Sequence, residues 1–354
     1  MIRVLVVDDS ALMRRQLSQI LTDAGDFEIA LARNGADAVA MNESFLPDVI
    51  TLDINMPEMD GITALSLIMA ERPVPVVMVS SLTEKGALAT FEALNLGAVD
   101  YIAKPGGTIS LRIDDIRVEL VAKVRAAAKA RLKTRRNIIP VPSSPVIKVP
   151  PPSPTAAPIR RGVARDGIVI IGVSTGGPRT LEDILPHLPE DLPWPVIVAQ
   201  HMPPAFTLSF AQRLDTQCKL KVVENSTPMP LAAGTIYIGK GGADTLVTTR
   251  SGTLTVLPKP EDNKYLWHPS VELLGRSVLE HYDPKRIVAV MLTGMGFDGA
   301  EAFTEIKNQG GRTIAESEES AVVFGMPAEL IDKGGASLIL PADKIATQIT
   351  QWVG

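Results

Sequence analysis

Over its first 134 residues the chain alternates short runs rich in β-branched residues with longer stretches of helical period. Strands are predicted over 3–7, 48–52, 74–79 and 98–102, and helices over 11–24, 61–70 and 85–96. The strands are continuously apolar rather than alternating, the pattern of a parallel sheet covered on both faces, so this part reads as a doubly wound (βα)5 unit. A last helix over 114–134 begins with acids and ends with Lys123, Arg125, Lys129, Arg131 and Lys133, a polarity that suits the helix dipole. Its basic run reads as a solvated face.

From about 163 onward the alternation resumes. Strand-like runs over 167–173, 196–200 and 286–292 each end in a turn that carries polar residues. The stretch 235–256, with Ser251-Gly252 at its turn, predicts a hairpin added to the sheet. Between the halves neither period survives: prolines fall at 140, 142, 145, 150, 151, 152, 154 and 158, which marks a semi-extended linker. The expected organisation is therefore an N-terminal domain over 1–134, a Pro-rich linker over 135–162 and a C-terminal α/β domain over 163–354.

Charge and cysteine content narrow the function. Forty acidic against thirty-five basic residues give a formal charge of −5, so no global positive field favours nucleic acid. Cys218 is the only cysteine, which excludes an internal disulfide and points to a reducing compartment. The apolar run at the N-terminus is short and broken by acids, and no uncharged stretch is long enough to span a bilayer. A soluble, cytoplasmic protein is expected.

Two sets of residues carry candidate chemistry. Asp8-Asp9 and Asp53 follow predicted strands, which sets them at the carboxyl edge where open α/β sheets bind ligands. Gathered carboxylates repel one another and call for a hard dication such as Mg²⁺, and a neutralised pocket lets an aspartate attack an anionic phosphodonor. Ser80 and Lys104, at two further strand ends, supply a hydroxyl donor and a cation for phosphoryl oxygens. The order Asp8-Asp9, Asp53-Ile54-Asn55-Met56-Pro57 with Asp60-Gly61, Ser80, Lys104-Pro105 resembles the two-component receiver domain over its whole length. That resemblance implies Asp53 as phosphoacceptor, with Asp9, Asp53 and the Asn55 carbonyl as metal ligands and Asp8 acting through water. It also implies a Ser80/Tyr101 relay that reorients on phosphorylation.

The second set centres on Gly172-Val173-Ser174-Thr175-Gly176-Gly177, a strand-to-helix corner that projects a serine hydroxyl and aims backbone N–H groups at an oxyanion. The same glycines could cradle a phosphate, so this segment alone leaves both readings open. A serine nucleophile needs an imidazole and the imidazole a carboxylate. Of four histidines only His201 follows a buried strand, and Asp298 follows another. Both are expected at the edge that holds Ser174, whereas His187 and His281 read as surface or capping groups. The order Ser, His, Asp argues against the α/β-hydrolase superfamily.

Residues 170–177, Gln200-His201-Met202-Pro203-Pro204, 292–299 and Val322-Val323-Phe324-Gly325-Met326-Pro327 closely resemble the chemotaxis-type protein-glutamate methylesterase/glutamine deamidase family. The resemblance implies that Ser174 attacks the γ-carbonyl of a methylated glutamate, or of a glutamine, on the cytoplasmic helices of a chemoreceptor. His201 would take and return the proton, Asp298 orient His201, and N–H groups near Thr175 and Met295 hold the oxyanion. The phosphodonor would be a chemotaxis histidine kinase, and the unphosphorylated receiver would cover the Ser174 site. Two departures stand out: Gly241-Gly242-Ala243-Asp244 where the family often has Gly-Asp-x-His, and Trp267-His268-Pro269-Ser270 where it often has His-Arg-Pro-Ser. Neither is expected to touch the triad; both bear on the substrate groove.

Rival readings fail on particulars. A DNA-binding output would need a compact helix-turn-helix with a basic recognition helix, where the chain has a large α/β pattern ending in acidic residues 316–319. A nucleotide-binding module would need a lysine in the glycine turn, or a third glycine in dinucleotide register, and has neither. A third reading keeps the hydrolase but assigns it to a sensory array controlling something other than swimming.

Overall fold

The computed structural model describes residues 1–80, 83–104, 113–132 and 167–354. Pro105 and the linker read at 135–162 lie outside the described residues.

The N-terminal unit is a five-stranded parallel sheet of order β2-β1-β3-β4-β5, formed by β1 (Ile2–Val7), β2 (Phe27–Ala32), β3 (Val49–Asp53), β4 (Val76–Ser80) and β5 (Asp100–Ala103). Its helices are α1 (Ala11–Ala24), α2 (Gly35–Ser44), α3 (Gly61–Glu71), α4 (Glu84–Leu96) and α5 (Ile113–Ala127). Strands β3 and β4 are buried along their whole length, as a sheet covered on both faces requires. Side-chain caps fix the helix starts: Ser10, Asn34, Asp60 and Thr83 each accept from the backbone N–H three residues on. The strand order reverses between β1 and β3, so Asp8 and Asp53 meet at the switch point, where such sheets bind ligands.

The C-terminal unit is built on β6 (Ile168–Val173), α6 (Gly177–Ile184), β7 (Val196–Gln200), α7 (Pro204–Gln217), β8 (Lys221–Asn225), β9 (Met229–Pro230) and β10 (Thr235–Gly239). There follow β11 (Asp244–Arg250), β12 (Thr253–Lys259), α8 (Val271–Leu279), β13 (Ile287–Met291), α9 (Ala300–Asn308), β14 (Arg312–Glu316), α10 (Met326–Asp332), β15 (Leu338–Leu340) and α11 (Ala342–Val353). Seven strands pair in parallel in the order β15-β14-β13-β6-β7-β10-β8. Here the order reverses between β6 and β13, and β6 and β13 are wholly buried.

The hairpin forms with its turn at Ser251-Gly252, as read from the sequence, but it does not extend the main sheet. Strands β11 and β12 pair with β9 in a separate three-stranded antiparallel sheet, while β10 alone joins the main one. The reason is visible in the burial. Strand β10 is buried over nearly its whole length, whereas β11 and β12 run out to exposed ends and bury Val247 and Val256 in one cluster with Leu274 and Val278 of α8.

Candidate active site and phosphoacceptor site

Ser174 directly follows β6, and its N–H donates to the Thr293 carbonyl just beyond β13 (3.0 Å). Gly176 then takes a left-handed conformation (φ 78°), where a Cβ would meet Val322 at 2.6 Å, so the sharp corner into α6 requires glycine. The β6–β7 ladder pairs Val173 with Gln200, and the His201 N–H continues it by donating to the Val173 carbonyl (3.1 Å). Ser174 and His201 are therefore neighbours across adjacent strand ends. The Gln200 side-chain amide ties them further, donating to both the Ser174 and His201 carbonyls at 3.0 Å.

Asp298, in the turn after β13, completes the arrangement. Its Oδ2 lies 2.9 Å from His201 Nε2, with both side chains nearly buried. Facing a carboxylate, Nε2 carries the proton, which leaves the lone pair on Nδ1. Nδ1 is buried without a partner, so the imidazole–carboxylate bond is made and the serine–imidazole bond is not made in this arrangement. Catalytic hydrogen bonds are commonly loose before substrate binds.

The carboxylate does more than orient the imidazole. It accepts from the N–H groups of Val271 (2.6 Å) and Glu272 (3.0 Å) and from the Ser270 hydroxyl (3.0 Å), at the N-terminus of α8. Burial alone would raise the Asp298 pKa, but the bond to His201 and these backbone donors pull it below the ordinary 3.8. Asp298 is held as an anion. It does not cap α9, whose N-cap is Gly299 with no side-chain bond.

Of the expected oxyanion donors, Thr175 follows Ser174, and Met295 follows Gly294, where a Cβ would lie 2.8 Å from that of Ser174. Neither backbone N–H is engaged by another protein group among the described residues. The loop carrying them is braced by the Thr293 hydroxyl, which donates to the Thr175 carbonyl (2.9 Å), and by Glu316, which accepts from the Thr293 N–H (2.8 Å).

In the N-terminal unit, carboxylate oxygens of Asp8, Asp9 and Asp53 lie within 4.8 Å of one another. Lys104 Nζ bridges Asp8 (2.9 Å) and Asp53 (2.8 Å). Burial lifts the Asp53 carboxyl above its usual range despite that cation. Burial works against Lys104 too, but its two ion pairs outweigh it and keep the ammonium charged. This donor set, hard oxygens with excess negative charge, fits Mg²⁺. The Asn55 N–H donates to Asp53 (3.4 Å), and the Ser80 hydroxyl donates to the Gly86 carbonyl (3.3 Å).

Tyr101 is buried, and its environment joins the two sites. Its ring packs on Phe206 of α7 at 4.7 Å, beside Phe91, which stacks on Phe210 at 5.4 Å. Asp100 accepts a hydrogen bond from the Thr175 hydroxyl at 2.6 Å. Arg131 pairs with Glu318 at 2.8 Å. Between the units lies a cavity of about 360 Å³, lined by Arg125, Lys129 and Arg131 on one side and Met295, Gly296 and Phe324 on the other.

A family model described as CheB methylesterase matches residues 169–349, and one described as response regulator receiver domain matches 4–113. A protein-glutamate methylesterase/protein-glutamine glutaminase 3 of Rhodospirillum rubrum is 54% identical over 369 residues, covering 100% of this chain and 96% of that protein. The chain belongs to the CheB methylesterase family. A second member, protein-glutamate methylesterase/protein-glutamine glutaminase 2 of Rhodopseudomonas palustris, is 51% identical and covers 99% of this chain and 98% of its own length. The crystal structure of the Thermotoga maritima CheB methylesterase catalytic domain aligns with TM-score 0.51 and 39% identity, over 53% of this chain and 100% of that one.

Within this CheB-type frame the two departures in sequence correct one expectation. The second does touch the candidate triad: Trp267 stacks on His201, and Ser270 in the same segment bonds Asp298. The two departures also meet each other, because buried Asp244 accepts from His268 Nδ1 (2.9 Å) and the Ser270 N–H (2.9 Å). The contact joins Asp244 and His268, 24 residues apart, so no local pattern in the sequence signals it. The serine before the apolar start of α8 was a legible cap; that its hydroxyl also reaches Asp298 was not. His187 is exposed and bonds the Asp183 carbonyl, as a surface group would.

Proposed function

We propose that this chain is a phosphorylation-controlled serine hydrolase that demethylates glutamate γ-methyl esters and deamidates glutamines on the cytoplasmic helices of chemoreceptors. The observation that carries the reading is the His201–Asp298 pair at 2.9 Å, on the strand edge that presents Ser174 in a glycine corner. Ser174 Oγ attacks the γ-carbonyl and His201 accepts its proton, while the N–H groups of Thr175 and Met295 receive the oxyanion. His201 returns the proton to methanol or ammonia, and water then cleaves the acyl-serine with the same base. Ester and amide share the site because both pass through a similar tetrahedral intermediate.

The receiver supplies the control. A chemotaxis histidine kinase donates the phosphoryl group to Asp53. Asp9, Asp53 and the Asn55 carbonyl, with Asp8 through water, would hold Mg²⁺, which supplies neutralising charge for transfer. Lys104 pairs with the new phosphoryl oxygens in place of the Asp53 carboxylate. Ser80 and Tyr101 carry the change to the face that packs on α7. The Thr175–Asp100 bond and the Tyr101–Phe206 contact support occlusion of the Ser174 site by the unphosphorylated receiver. A cytoplasmic location accords with this chemistry, and no helix among the described residues is long and apolar enough to cross a membrane.

Methanol release from methylated receptor membranes tests the reading. Intact protein with Mg²⁺ and a small phosphodonor releases methanol and Ser174→Ala does not; equal release by both would overturn it.

A further inference from the structure

The loop entering α8 carries an aromatic side chain that the hydrolytic steps above leave unused. The Trp267 indole lies parallel to the His201 imidazole in an offset stack, centroids 5.7 Å apart and planes inclined by only 8°. Phe297 meets the indole edge-on at 5.2 Å and 82°. Gly296, at φ 85°, passes so close that a Cβ there would lie 2.9 Å from the indole. Trp267 is thus held between the imidazole and the loop that bears Met295.

The ring is also anchored through its own chain. Asp244 is fully buried and gathers three donors from the loop: the Asp262 N–H (3.0 Å), His268 Nδ1 (2.9 Å) and the Ser270 N–H (2.9 Å). Residues on both sides of Trp267 are fastened to one carboxylate, which fixes the backbone from which the indole projects. Phe297, by contrast, is 56% exposed.

We propose that Trp267 is a positioning residue for His201. Its face holds the imidazole plane and stabilises the positive charge the ring acquires on taking the Ser174 proton. The proposal rests on the triad reading above. Parallel rings at this separation attract, and a cation within about 6 Å of an indole face gains further, tryptophan being the strongest such partner. The gain belongs to the protonated ring, so it favours the transition state over the ground state. Leucine would keep an apolar side chain and lose the π face; phenylalanine would keep a π face of smaller area.

The test uses the full chain with Mg²⁺ and acetyl phosphate, in two assays. One is the rate at which a fluorophosphonate reagent labels Ser174, and the other is kcat and KM for methanol release from methylated receptor membranes. Trp267→Leu is expected to slow labelling and lower kcat by roughly five- to twentyfold, with KM within about twofold, and Trp267→Phe to recover most of the loss. Melting temperatures are compared in parallel, and Trp267→Met replaces the leucine variant if the latter melts early. Labelling at the wild-type rate in the leucine variant, with KM alone raised, would make Trp267 a substrate wall and overturn the proposal. So would a phenylalanine variant as slow as the leucine one. Labelling that persists in His201→Ala would instead overturn the triad reading, and this proposal with it.

Discussion

Asp298 serves two structures at once, and its removal should show both. Its carboxylate bonds His201 and accepts from three donors at the start of α8, so Asp298→Asn loses the imidazole's tautomer while keeping most of its shape. We expect kcat to fall by about three to four orders of magnitude, measured by methanol release, with labelling of Ser174 reduced in step. Stability should fall too, by about 1–2 kcal/mol, because a helix cap weakens. The pH dependence has a definite sign. The folded carboxyl lies below its ordinary 3.8, so the unfolded chain binds the proton more tightly and the contribution is complete above that value. The stability gap between wild type and Asp298→Asn should be flat above about pH 5 and close as pH falls below about 4, which acid-dependent denaturant melts would reveal.

At the scale of elements, the candidate reactive side chains stand at the last residue of a strand, as Asp53 and Ser80 do, or in the segment just after one, as Asp8, Ser174, His201 and Asp298 do, a consequence of parallel strands ending on one edge. The helices then stiffen those turns. Helix α8 brings its N-terminus to Asp298, and α7 begins three residues after His201, with Phe206 and Phe210 buried beneath the receiver. The far end of α7 offers an independent probe. Cys218, its C-cap, is half-buried, and burial together with Asp215 and Glu182 pushes its thiol up to about 12. Thiolate is the reactive form, so alkylation at about pH 8 should be slow in the folded chain and rapid in denaturant. Fast alkylation of native protein would mean that the C-terminus of α7 opens readily. The hairpin shows how pattern and partner divide the work. Its strands and turn were legible from β-branched runs around Ser251-Gly252, but the sheet they join was decided by which faces α8 and β9 cover.

At the scale of the whole molecule, the receiver contacts the very turn that holds the nucleophile. The Thr175 hydroxyl donates to Asp100, while the N–H of the same residue is the proposed oxyanion donor. Asp100 is next to Tyr101, so the proposed switch residue and the residue bonded to Thr175 share one strand, β5. Asp100→Ala should therefore raise unphosphorylated esterase activity several-fold, since a buried bond of this kind contributes on the order of 1–3 kcal/mol. Thr175→Val should release the receiver similarly without removing the backbone donor. Deleting residues 1–162 should raise basal activity further still; unchanged activity in a folded fragment would count against occlusion.

The sequence by itself determined what local physics can encode. Continuous apolar runs with helices between them specify parallel sheets, the proline tract separates two units, and aspartates and a serine at strand ends mark where chemistry gathers. It also pointed to His201, the one histidine that follows a buried strand, and to Asp298 as a carboxylate expected at the same sheet edge. Only the tertiary structure decided which nitrogen of His201 faces Asp298, that Ser270 and α8 hold that carboxylate, that Asp244 ties down the loop of Trp267, and that Asp100 reaches Thr175. These contacts join residues 24 to 97 positions apart. A hydrogen bond or a ring stack depends on placements of a few tenths of an ångström, and those are set by how whole elements pack rather than by any local pattern.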